Sequence, residues 1–583
     1  MADPLHTIAE TVRSVLADLT GLPAGEIDPV VRPSERADAQ VNGALALAKQ
    51  VGGVPRDLAT ALAADPRLAV LCAAAEVAGP GFVNLTFTDA FLSGELAAAA
   101  RDDRLGVRSA ALAHTAVVDY SAPNVAKEMH VGHLRSTVIG DSIVRLLQFV
   151  GHTVIRENHL GDWGTPFGML IEHLVDIAGI DGAADLEVAD LGAFYKAARE
   201  KFDADDAFKE RSRERVVLLQ GREHPETARL WHILVGQSTV HFNEVYRKLG
   251  VLLTDDDLAG ESMYQPLMDD VLRRLDAAGM LDESDGAKVV WVPGFTNREG
   301  EPLPLIVQAR TGGFNYATSD LACVIDRTER LGATLLVYVV GSPQAQHLAM
   351  VFKAAELAGW IRPPAQAVHV QFGSVLGADR KMLKSRSGDP VRFIELIDEA
   401  IERGTAAVAE RSGISDGDQR SALGRAIGIG ALKYAELSSD RIKDYVFDWD
   451  RMLAFDGNTG PYLQYAHARL CSIFRKAVDE HGIDRDSLRS VRPLVDDPNE
   501  RALALRLLQF DAAVHDAVDR FSPHRLCTYL FDLAQAFTAF YEACPVLKAD
   551  DELRRSRLAL CDLTARVLER GLSLLGIEAP ERM

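Results

Sequence analysis

The chain has 583 residues, of which 48% are hydrophobic and 25% charged, and its formal net charge is −21 at pH 7. This composition predicts a globular protein with several domains and disfavours disordered and fibrous classes. No apolar run is long enough to cross a bilayer and no secretory signal pattern is present, so we expect a cytoplasmic protein without a membrane partner. The acidic balance disfavours a general nucleic-acid binder, although a protein that reads one folded RNA can confine its basic surface to a stripe. None of the six cysteines belongs to a CxxC pair, which disfavours a zinc knuckle or a disulfide framework and indicates buried thiols.

Residues 1–110 predict a small domain of mixed α and β structure. Apolar residues recur at helical spacing over residues 5–19, and residues 41–51 repeat this pattern. A β-prone run follows the turn residues Gly79-Pro80-Gly81, and a charged link at 101–104 ends the domain.

Residues 115–155 have the pattern of a strand, a helix and a second strand. β-prone residues occupy 115–120 and 152–155, and the apolar helical pattern between them stops at Gly151, a residue suited to a left-handed helix terminus. In such a βαβ unit the ligand side is the turn from the first strand into the helix. That turn contains the run His-Val-Gly-His at 130–133, where free N–H groups of a helix N-terminus favour phosphate and glycine lets a flat base approach the backbone. Two histidines three positions apart also occur on exposed helix surfaces, and a metal site is disfavoured because no third ligand follows at a familiar spacing.

The remaining chain divides into a polar insertion, a second set of strands and a helical end. Residues from about 170 to 290 are charged and helix-periodic, which predicts an insertion between two halves of a nucleotide-binding domain. β-prone runs return at 288–292, 303–308, 335–340 and 368–372, and after Pro390 the pattern is helical. We therefore predict domains at 1–110, 111–390, 391–454 and 455–583, of which the third is a helical connecting region.

A second candidate site is the run Lys-Met-Leu-Lys-Ser at 381–385, which has Arg380 and Arg386 beside it. Four cations within seven residues, between Gly377 and Gly388, suit a mobile loop that closes over phosphates and neutralises charge that develops in the transition state. An isolated KxxK is more often a solvated basic loop. The chain contains no GxxxxGK[ST] and no GxGxxG after a strand, which disfavours the commonest NTPase and dinucleotide-binding folds.

Together, HVGH and the later KMLKS resemble the HIGH and KMSKS motifs of class I aminoacyl-tRNA synthetases, and the wider sequence resembles the arginyl-tRNA synthetase family. The closer likeness covers essentially the whole chain and is carried by DYSAPNVAK at 119–127, HLRST at 133–137, GDWG at 161–164, YATSD at 316–320, FDGNTGPYLQYAHAR at 455–469 and GIEAPERM at 576–583. The loop departs from the family pattern at Leu383, where serine is more typical. The resemblance implies a multidomain α/β fold: a Rossmann-like parallel-sheet catalytic domain, an N-terminal α+β domain and an all-α C-terminal anticodon-binding bundle.

The same resemblance implies roles for individual residues. The residues that would bind ATP and catalyse the reaction are His130, Gly132, His133, Lys381 and Lys384. Asn124 and Gln344 would lie near the α-amino group of the substrate arginine, with Asp119, Tyr316 and Asp320 facing its side chain and Ser121 and His159 as further pocket residues. A guanidinium suits such carboxylates because it is a planar fork of donors, whereas a lysine ammonium cannot satisfy the same geometry. Without the family, Asp320 would be interpreted as a helix N-cap that follows Thr318 and Ser319.

The implied function is the ligation of L-arginine to its cognate tRNA with Mg²⁺-ATP, through arginyl-adenylate, by a monomer whose activation step requires bound tRNA. Gln40 would contact the tRNA D-loop, and aromatic residues of the C-terminal bundle could stack on anticodon bases, although most should be core: Tyr462, Tyr465, Phe537, Phe540 and Tyr541. Two alternatives remain. One is a nucleotidyltransferase with the same HxGH motif that joins ATP to a small molecule, and the other is a synthetase-derived tRNA-binding protein without catalysis.

Overall fold

A computed structural model of the chain describes residues 3–34, 36–182, 191–221, 224–384, 391–411 and 416–583. These residues form two units, the first made of Met1–Ser109, Phe455–Ser573 and Glu578–Met583, and the second of Ala110–Ala454 and Leu574–Ile577. Within these ranges no helix combines the length and the apolar composition that crossing a bilayer requires. The first boundary between the units follows Ser109, and the four domains stay a prediction.

The N-terminal part of the first unit has the predicted mixed α and β structure. Its elements are α1 (Pro4–Thr20), β1 (Val31–Arg32), β2 (Ala39–Val41), α2 (Gly43–Gln50), α3 (Pro55–Ala63), α4 (Pro66–Leu71), β3 (Cys72–Ala78), β4 (Phe82–Phe87) and α5 (Asp89–Arg101). The strands form an antiparallel sheet in the order β1-β2-β4-β3. Helix α1 begins after Asp3, whose carboxylate accepts a hydrogen bond from the Leu5 N–H, and ends at Gly21, whose φ is +72°.

The second unit contains the predicted βαβ segment and a long run of further elements. These are β5 (Thr115–Asp119), α6 (Val131–Phe149), β6 (Thr153–Glu157), α7 (Thr165–Gly182), α8 (Leu191–Ala204), α9 (Asp206–Gly221), α10 (Pro225–Leu249), α11 (Gln265–Ala277), β7 (Leu281–Ser284), β8 (Ala287–Thr296), β9 (Pro302–Gln308), α12 (Tyr316–Ile325), β10 (Leu335–Tyr338), α13 (Ala345–Leu357), β11 (Gln366–His369), β12 (Val375–Leu376), α14 (Phe393–Arg411), α15 (Gly417–Ser438), β13 (Tyr445–Val446) and α16 (Trp449–Met452). Strands β5 and β6 pair in parallel and are joined by α6, which confirms the prediction.

The main sheet of the second unit is parallel, in the order β11-β10-β5-β6. The chain moves from β5 outward to β6 on one side, and later returns to β10 on the other side of β5. The strand order therefore reverses beside β5, and in open parallel sheets such a reversal leaves a crevice at the carboxyl ends of the strands. This geometry places the candidate site at the ends of β5 and β10.

Two of the predicted strands belong to a different sheet. The runs at 288–292 and 303–308 lie in β8 and β9, which form an antiparallel sheet with β7 rather than joining the parallel one. The short turn from Asn297 to Glu301 explains this, because antiparallel neighbours need only a tight connection whereas parallel neighbours need a crossover. The run at 368–372 corresponds to β11, which begins earlier, at Gln366.

The C-terminal part of the first unit is helical, as predicted. It contains α17 (Gly460–His481), α18 (Pro498–Leu507), α19 (Phe510–Asp519) and α20 (His524–Ala543), and α21 (Asp551–Leu574) completes it. Within the first unit, ion pairs join this part to the N-terminal part: Arg501 contacts Asp38 and Asp89, and Arg108 contacts Asp511. All six cysteines are buried and unpaired with each other, which confirms the interpretation as thiols.

Gly140 of α6 lies against Tyr120, just beyond the end of β5. A Cβ atom at this position would lie 2.3 Å from the Tyr120 Cβ, closer than real contacts allow. We predict that Gly140→Ala destabilises the protein by about 1–3 kcal/mol, because the helix must move away from the sheet. Urea unfolding followed by fluorescence measures this change. Gly236, where an added Cβ meets nothing within 4 Å, supplies the control, and Gly236→Ala should not destabilise the protein.

Candidate active site

The His-Val-Gly-His run forms the first turn of α6. His130 is the N-cap, its Nδ1 accepts a hydrogen bond from the Gly132 N–H at 3.0 Å, and the His130 N–H donates to Nδ1 of His133 at 3.1 Å. The two rings lie 4.2 Å apart. A Cβ at Gly132 would lie 2.7 Å from Cε1 of His130, so position 132 must be glycine for the His130 ring to form this cap.

Both imidazoles are held in their neutral form. Burial and the neighbouring Lys127 lower the pKa of His130, while burial and His130 lower the pKa of His133 to about 4. Each Nδ1 accepts a hydrogen bond from a backbone N–H, which favours the tautomer with the ring proton on Nε2. The turn therefore offers two neutral N–H donors and a helix N-terminus, which together suit phosphate oxygens.

The loop between β5 and α6 has a strained backbone. Ser121, Ala122 and Ala126 have φ values of +73°, +46° and +60°, which for residues other than glycine cost on the order of 1 kcal/mol each. Hydrogen bonds compensate: the N–H groups of these three residues donate to Oγ of Ser136, to Oδ1 of Asn158 and to Oγ of Ser238. Ser121 was predicted to line the substrate pocket, but its hydroxyl is buried between Tyr246 and Thr137, which makes it a residue that fixes the loop.

The lysine-rich run forms the second arm of a hairpin whose first arm is β12. The Gly377 N–H donates to the Lys381 carbonyl, Leu383 donates to the Val375 carbonyl, and the side chains of Lys381 and Lys384 are exposed. The unusual Leu383 folds back across the hairpin, since its Cδ1 lies 3.7 Å from the position of a Cβ on Gly377. Residues 385–390, which include Ser385, Arg386 and Gly388, lie outside the described residues.

Backbone pairing brings the end of this loop to the histidine turn. The Val131 N–H donates to the Val391 carbonyl at 3.0 Å, and the Phe393 N–H donates to the Met129 carbonyl at 2.9 Å. Arg392 pairs with Glu128 at 2.7 Å in the same place. Lys381 follows His133 by 248 positions in the sequence, yet the chain directly after the loop lies against the turn that holds both histidines.

Asp119, at the end of β5, is engaged by the protein itself. Its Oδ2 accepts a hydrogen bond from Nη2 of Arg327 at 2.8 Å, and the same guanidinium donates to Glu157 at 2.7 Å. Arg327 and Asp119 are buried, and the Arg327 guanidinium lies over the ring of Tyr338. Arg327 is shared between two carboxylates, and within the described residues Oδ1 of Asp119 has no hydrogen-bond partner, so this oxygen is the acceptor that Asp119 retains for a substrate cation.

Glu261 is a residue of this region that sequence reasoning missed. It lies in a short 3₁₀ turn, Glu261–Tyr264, and lines a cavity of about 620 Å³ with Asn315, Tyr316 and Ser319. Burial is the main cause that raises the pKa of Glu261 to about 8, and the negative charges of Asp162 and Asp320 contribute to the same shift. The only signal in the sequence was a Gly-Glu-Ser-Met-Tyr run without periodicity, and the role of Glu261 emerges only from its carboxylate neighbours.

Three of the other predicted pocket residues follow parallel strands, and the remaining two, Tyr316 and Asp320, lie on α12. Asn124 is exposed and bridges to Gly161, His159 follows β6 with Nδ1 at 3.9 Å from Sγ of Cys323, and Gln344 ends the 3₁₀ turn Ser342–Gln344 after β10. Tyr316 is 71% exposed at the start of α12, and the alternative interpretation of Asp320 as an N-cap is wrong, since Asn315 caps α12.

Gln40 belongs to the first unit, where it lies on β2 and donates from Nε2 to Oδ1 of Asn84 at 2.8 Å. Of the C-terminal aromatics, Phe537 and Phe540 are buried, whereas Tyr465 is 47% exposed and Tyr541 carries the Arg469 guanidinium 4.4 Å above its ring. In the described part of the chain, no three or more His, Cys, Asp or Glu side chains are grouped so that they could hold a metal ion.

Comparison with known proteins agrees with this arrangement. Family models match in three places: "Arginyl tRNA synthetase N terminal domain" over residues 6–87, "tRNA synthetases class I (R), catalytic domain" over 96–449, and "DALR anticodon binding domain" over 463–583. The chain is 52% identical to the arginine–tRNA ligase of Thermobifida fusca, and the alignment covers 100% of both chains. Among solved structures it resembles the arginyl-tRNA synthetases of Plasmodium falciparum (TM-score 0.85, 26% identity, 100% of both chains) and Thermus thermophilus (TM-score 0.78, 26% identity, 99% of this chain and 100% of that one). The chain therefore belongs to the arginyl-tRNA synthetase family, with a class I catalytic domain.

Proposed function

We propose that the protein ligates L-arginine to its cognate tRNA with ATP. The arginine carboxylate attacks the α-phosphorus of ATP, pyrophosphate leaves, and the arginyl group of the resulting adenylate passes to a hydroxyl of the terminal tRNA ribose with release of AMP. The observation that supports the arginine assignment is the Glu261 carboxylate, which lines a cavity with Tyr316 and interacts electrostatically with Asp320.

ATP would bind at the ends of β5 and β10. Nε2–H of His130 and of His133 would donate to phosphate oxygens, with Gly132 leaving room for the adenine above the turn. Lys381 and Lys384 would close over the β- and γ-phosphates and stabilise the charge of the leaving pyrophosphate. The protein needs no nucleophile of its own, because positioning and charge stabilisation suffice for this step.

Mg²⁺ would enter with ATP rather than occupy a site on the protein. Glu128, the carboxylate that precedes the histidine turn, is paired with Arg392, and within the described residues no three or more His, Cys, Asp or Glu side chains are grouped to hold a metal ion, whereas Mg²⁺ prefers several oxygen ligands. We therefore assign the metal to the substrate, held by the phosphate oxygens of ATP.

Arginine would place its guanidinium between Glu261 and Asp320 and its α-amino group near Asn124 and Gln344. Tyr316, which lines the same cavity as Glu261, would cover the substrate. A neutral side chain would leave the Glu261 carboxylate and Oδ1 of Asp320 without a partner in a partly desolvated site, a penalty that separates substrates by several powers of ten without an editing site.

The tRNA would contact the first unit. Gln40 is the candidate contact for the D-loop, and Tyr465, together with the Arg469 and Tyr541 pair, provides exposed planar surfaces on which anticodon bases could stack. We further propose a cytoplasmic monomer whose activation step requires bound tRNA.

The two alternatives are weaker. A nucleotidyltransferase acting on a small molecule has no use for the helical part matched by an anticodon-binding family model. A tRNA-binding protein without catalysis would not need neutral histidines arranged as donors or the two lysines, and all four are present.

ATP–pyrophosphate exchange tests the proposal. With tRNA present, we expect exchange with arginine and with no other standard amino acid, and without tRNA we expect little exchange. Lysine and citrulline are the informative controls, since one is a cation without the planar fork and the other has the shape without the charge. Exchange with a different amino acid, or none with arginine and tRNA together, would refute the assignment.

A further inference from the structure

The Asp320 carboxylate is held by a histidine on the neighbouring helix. Nε2 of His347 lies 2.5 Å from Oδ2 of Asp320, and both side chains are half-buried. Asp320 is on α12 and His347 is on the first turn of α13, two helices that pack on each other. Within the described residues, no other side chain makes a hydrogen bond or an ion pair with this carboxylate.

The carboxylates of Asp162 and Asp320 lie within electrostatic reach of Glu261. The three differ in how many of their oxygens remain free to accept a hydrogen bond. Both oxygens of Asp162 are used, because Oδ1 accepts from the Ser262 N–H and Oδ2 accepts from the Ser262 hydroxyl. The Glu261 carboxylate accepts no hydrogen bond from the described residues, and one oxygen of Asp320 is taken by His347. The acceptors that remain for a cation are therefore the Glu261 carboxylate and Oδ1 of Asp320.

We propose that His347 is a positioning residue for arginine recognition: by binding Oδ2 of Asp320, it fixes the carboxylate plane and leaves Oδ1 as the acceptor for the guanidinium. This inference rests on the proposed function, since it requires arginine as the substrate. The side-chain torsion of an aspartate carboxylate is broad, so an unheld carboxylate would sample orientations that miss a planar donor. The hydrogen bond also favours the protonated imidazole and so raises the pKa of His347.

Two substitutions separate the donated hydrogen bond from the bulk of the ring. His347→Gln retains an N–H donor at nearly the same distance from the main chain as Nε2 of the histidine. His347→Leu removes the donor and approximately keeps the side-chain volume. Gln346→Leu is the matched control, because Gln346 lies next to His347 and lines the same cavity of about 390 Å³. The dissociation constant for arginine is measured by calorimetry on the full-length protein, and KM for arginine, KM for ATP and kcat are measured by aminoacylation with tRNA.

For His347→Leu we expect the arginine dissociation constant and KM to rise roughly tenfold, the loss typical of a hydrogen bond to a charged group. KM for ATP and kcat at saturating arginine should stay within about twofold, because no ATP contact is removed. His347→Gln should restore most of the arginine affinity, and Gln346→Leu should leave it unchanged. In an Asp320→Asn background, His347→Leu should have little further effect, since the two residues act through one interaction.

Several results would overturn the inference. His347→Leu could bind arginine as the parent protein does, or His347→Gln could be as impaired as His347→Leu, or kcat and KM for ATP could fall together with arginine affinity. If His347→Leu does not fold, as its thermal transition would reveal, His347→Asn replaces it, because its amide is too short to reach Oδ2, and the same criteria apply. A parent protein that neither binds nor activates arginine would refute the proposed function itself, a distinct outcome.

Discussion

Lys384→Ala should lower the rate of arginyl-adenylate formation by about 10²–10³-fold, the usual effect of removing one preorganised cation or donor from a transition state. The arginine dissociation constant should change by less than about twofold, because the lysine acts only when charge develops on the leaving pyrophosphate. Lys384 is exposed in the structure, at the end of the described part of the hairpin, so the substitution removes no packing. The measurement is ATP–pyrophosphate exchange in the presence of tRNA, together with calorimetry for arginine.

Lys353→Ala is the matched control. Lys353 is also an exposed lysine of the second unit, but it lies on α13, where it pairs with Glu356. Its replacement should leave the exchange rate unchanged. If Lys384→Ala lowered arginine affinity and the activation rate by the same factor, the lysine would contribute to ground-state binding, and the transition-state role would be refuted.

Glu261→Gln should weaken arginine binding by about 10²-fold, within the range for truncating one partner of a buried hydrogen-bonded charge pair. The parent protein should also bind arginine more tightly as pH rises. Burial and the charges of Asp162 and Asp320 raise the pKa of Glu261 to about 8 in the free site, so the carboxyl is protonated and neutral below that pH. A guanidinium selects the ionised form, and below about pH 8 the affinity should gain up to tenfold per pH unit as the proton leaves.

Calorimetry between pH 6 and 9 measures both effects. The pH dependence should flatten in Glu261→Gln, because the amide does not titrate, and it should persist in Glu356→Gln, which changes an exposed glutamate on α13. A parent protein whose arginine affinity is constant across this range, or a Glu261→Gln variant that retains the slope, would show that another group controls binding.

The local elements of this protein could be predicted because their signals are short-range. The apolar spacing of residues 5–19 corresponds to α1, and the βαβ segment at 115–155 is present with α6 beginning at Val131. The histidine turn lies at the strand-to-helix junction because the end of a parallel strand and the start of a helix are both readable from sequence. Runs of β-prone residues did not reveal which sheet they join, so β8 and β9 were recognised as strands but not as an antiparallel pair.

The carboxylates of the site show more clearly which features could not be predicted from the sequence. From sequence, Asp119, Asp320 and Glu261 are all acidic residues beside apolar runs, and the family likeness selected the first two. The structure pairs Asp119 with Arg327, pairs Asp320 with His347, and leaves the Glu261 carboxylate facing a cavity. Which carboxylate keeps its charge for a ligand depends on partners that lie 27 to 208 positions away in the chain, and no local pattern contains them.

The sequence by itself determined the secondary structure around the motifs, the histidines and lysines that we propose bind phosphate, and the likeness to one synthetase family, because each depends on neighbours along the chain. Only the tertiary structure decided that Val391 and Phe393 pair with the histidine turn, that Asp119 binds Arg327, and that Glu261 lines a cavity. The physical reason is that charge compensation and burial act through space. A carboxylate has the same intrinsic chemistry at all three positions, and its surroundings determine whether it stabilises the fold or receives a substrate.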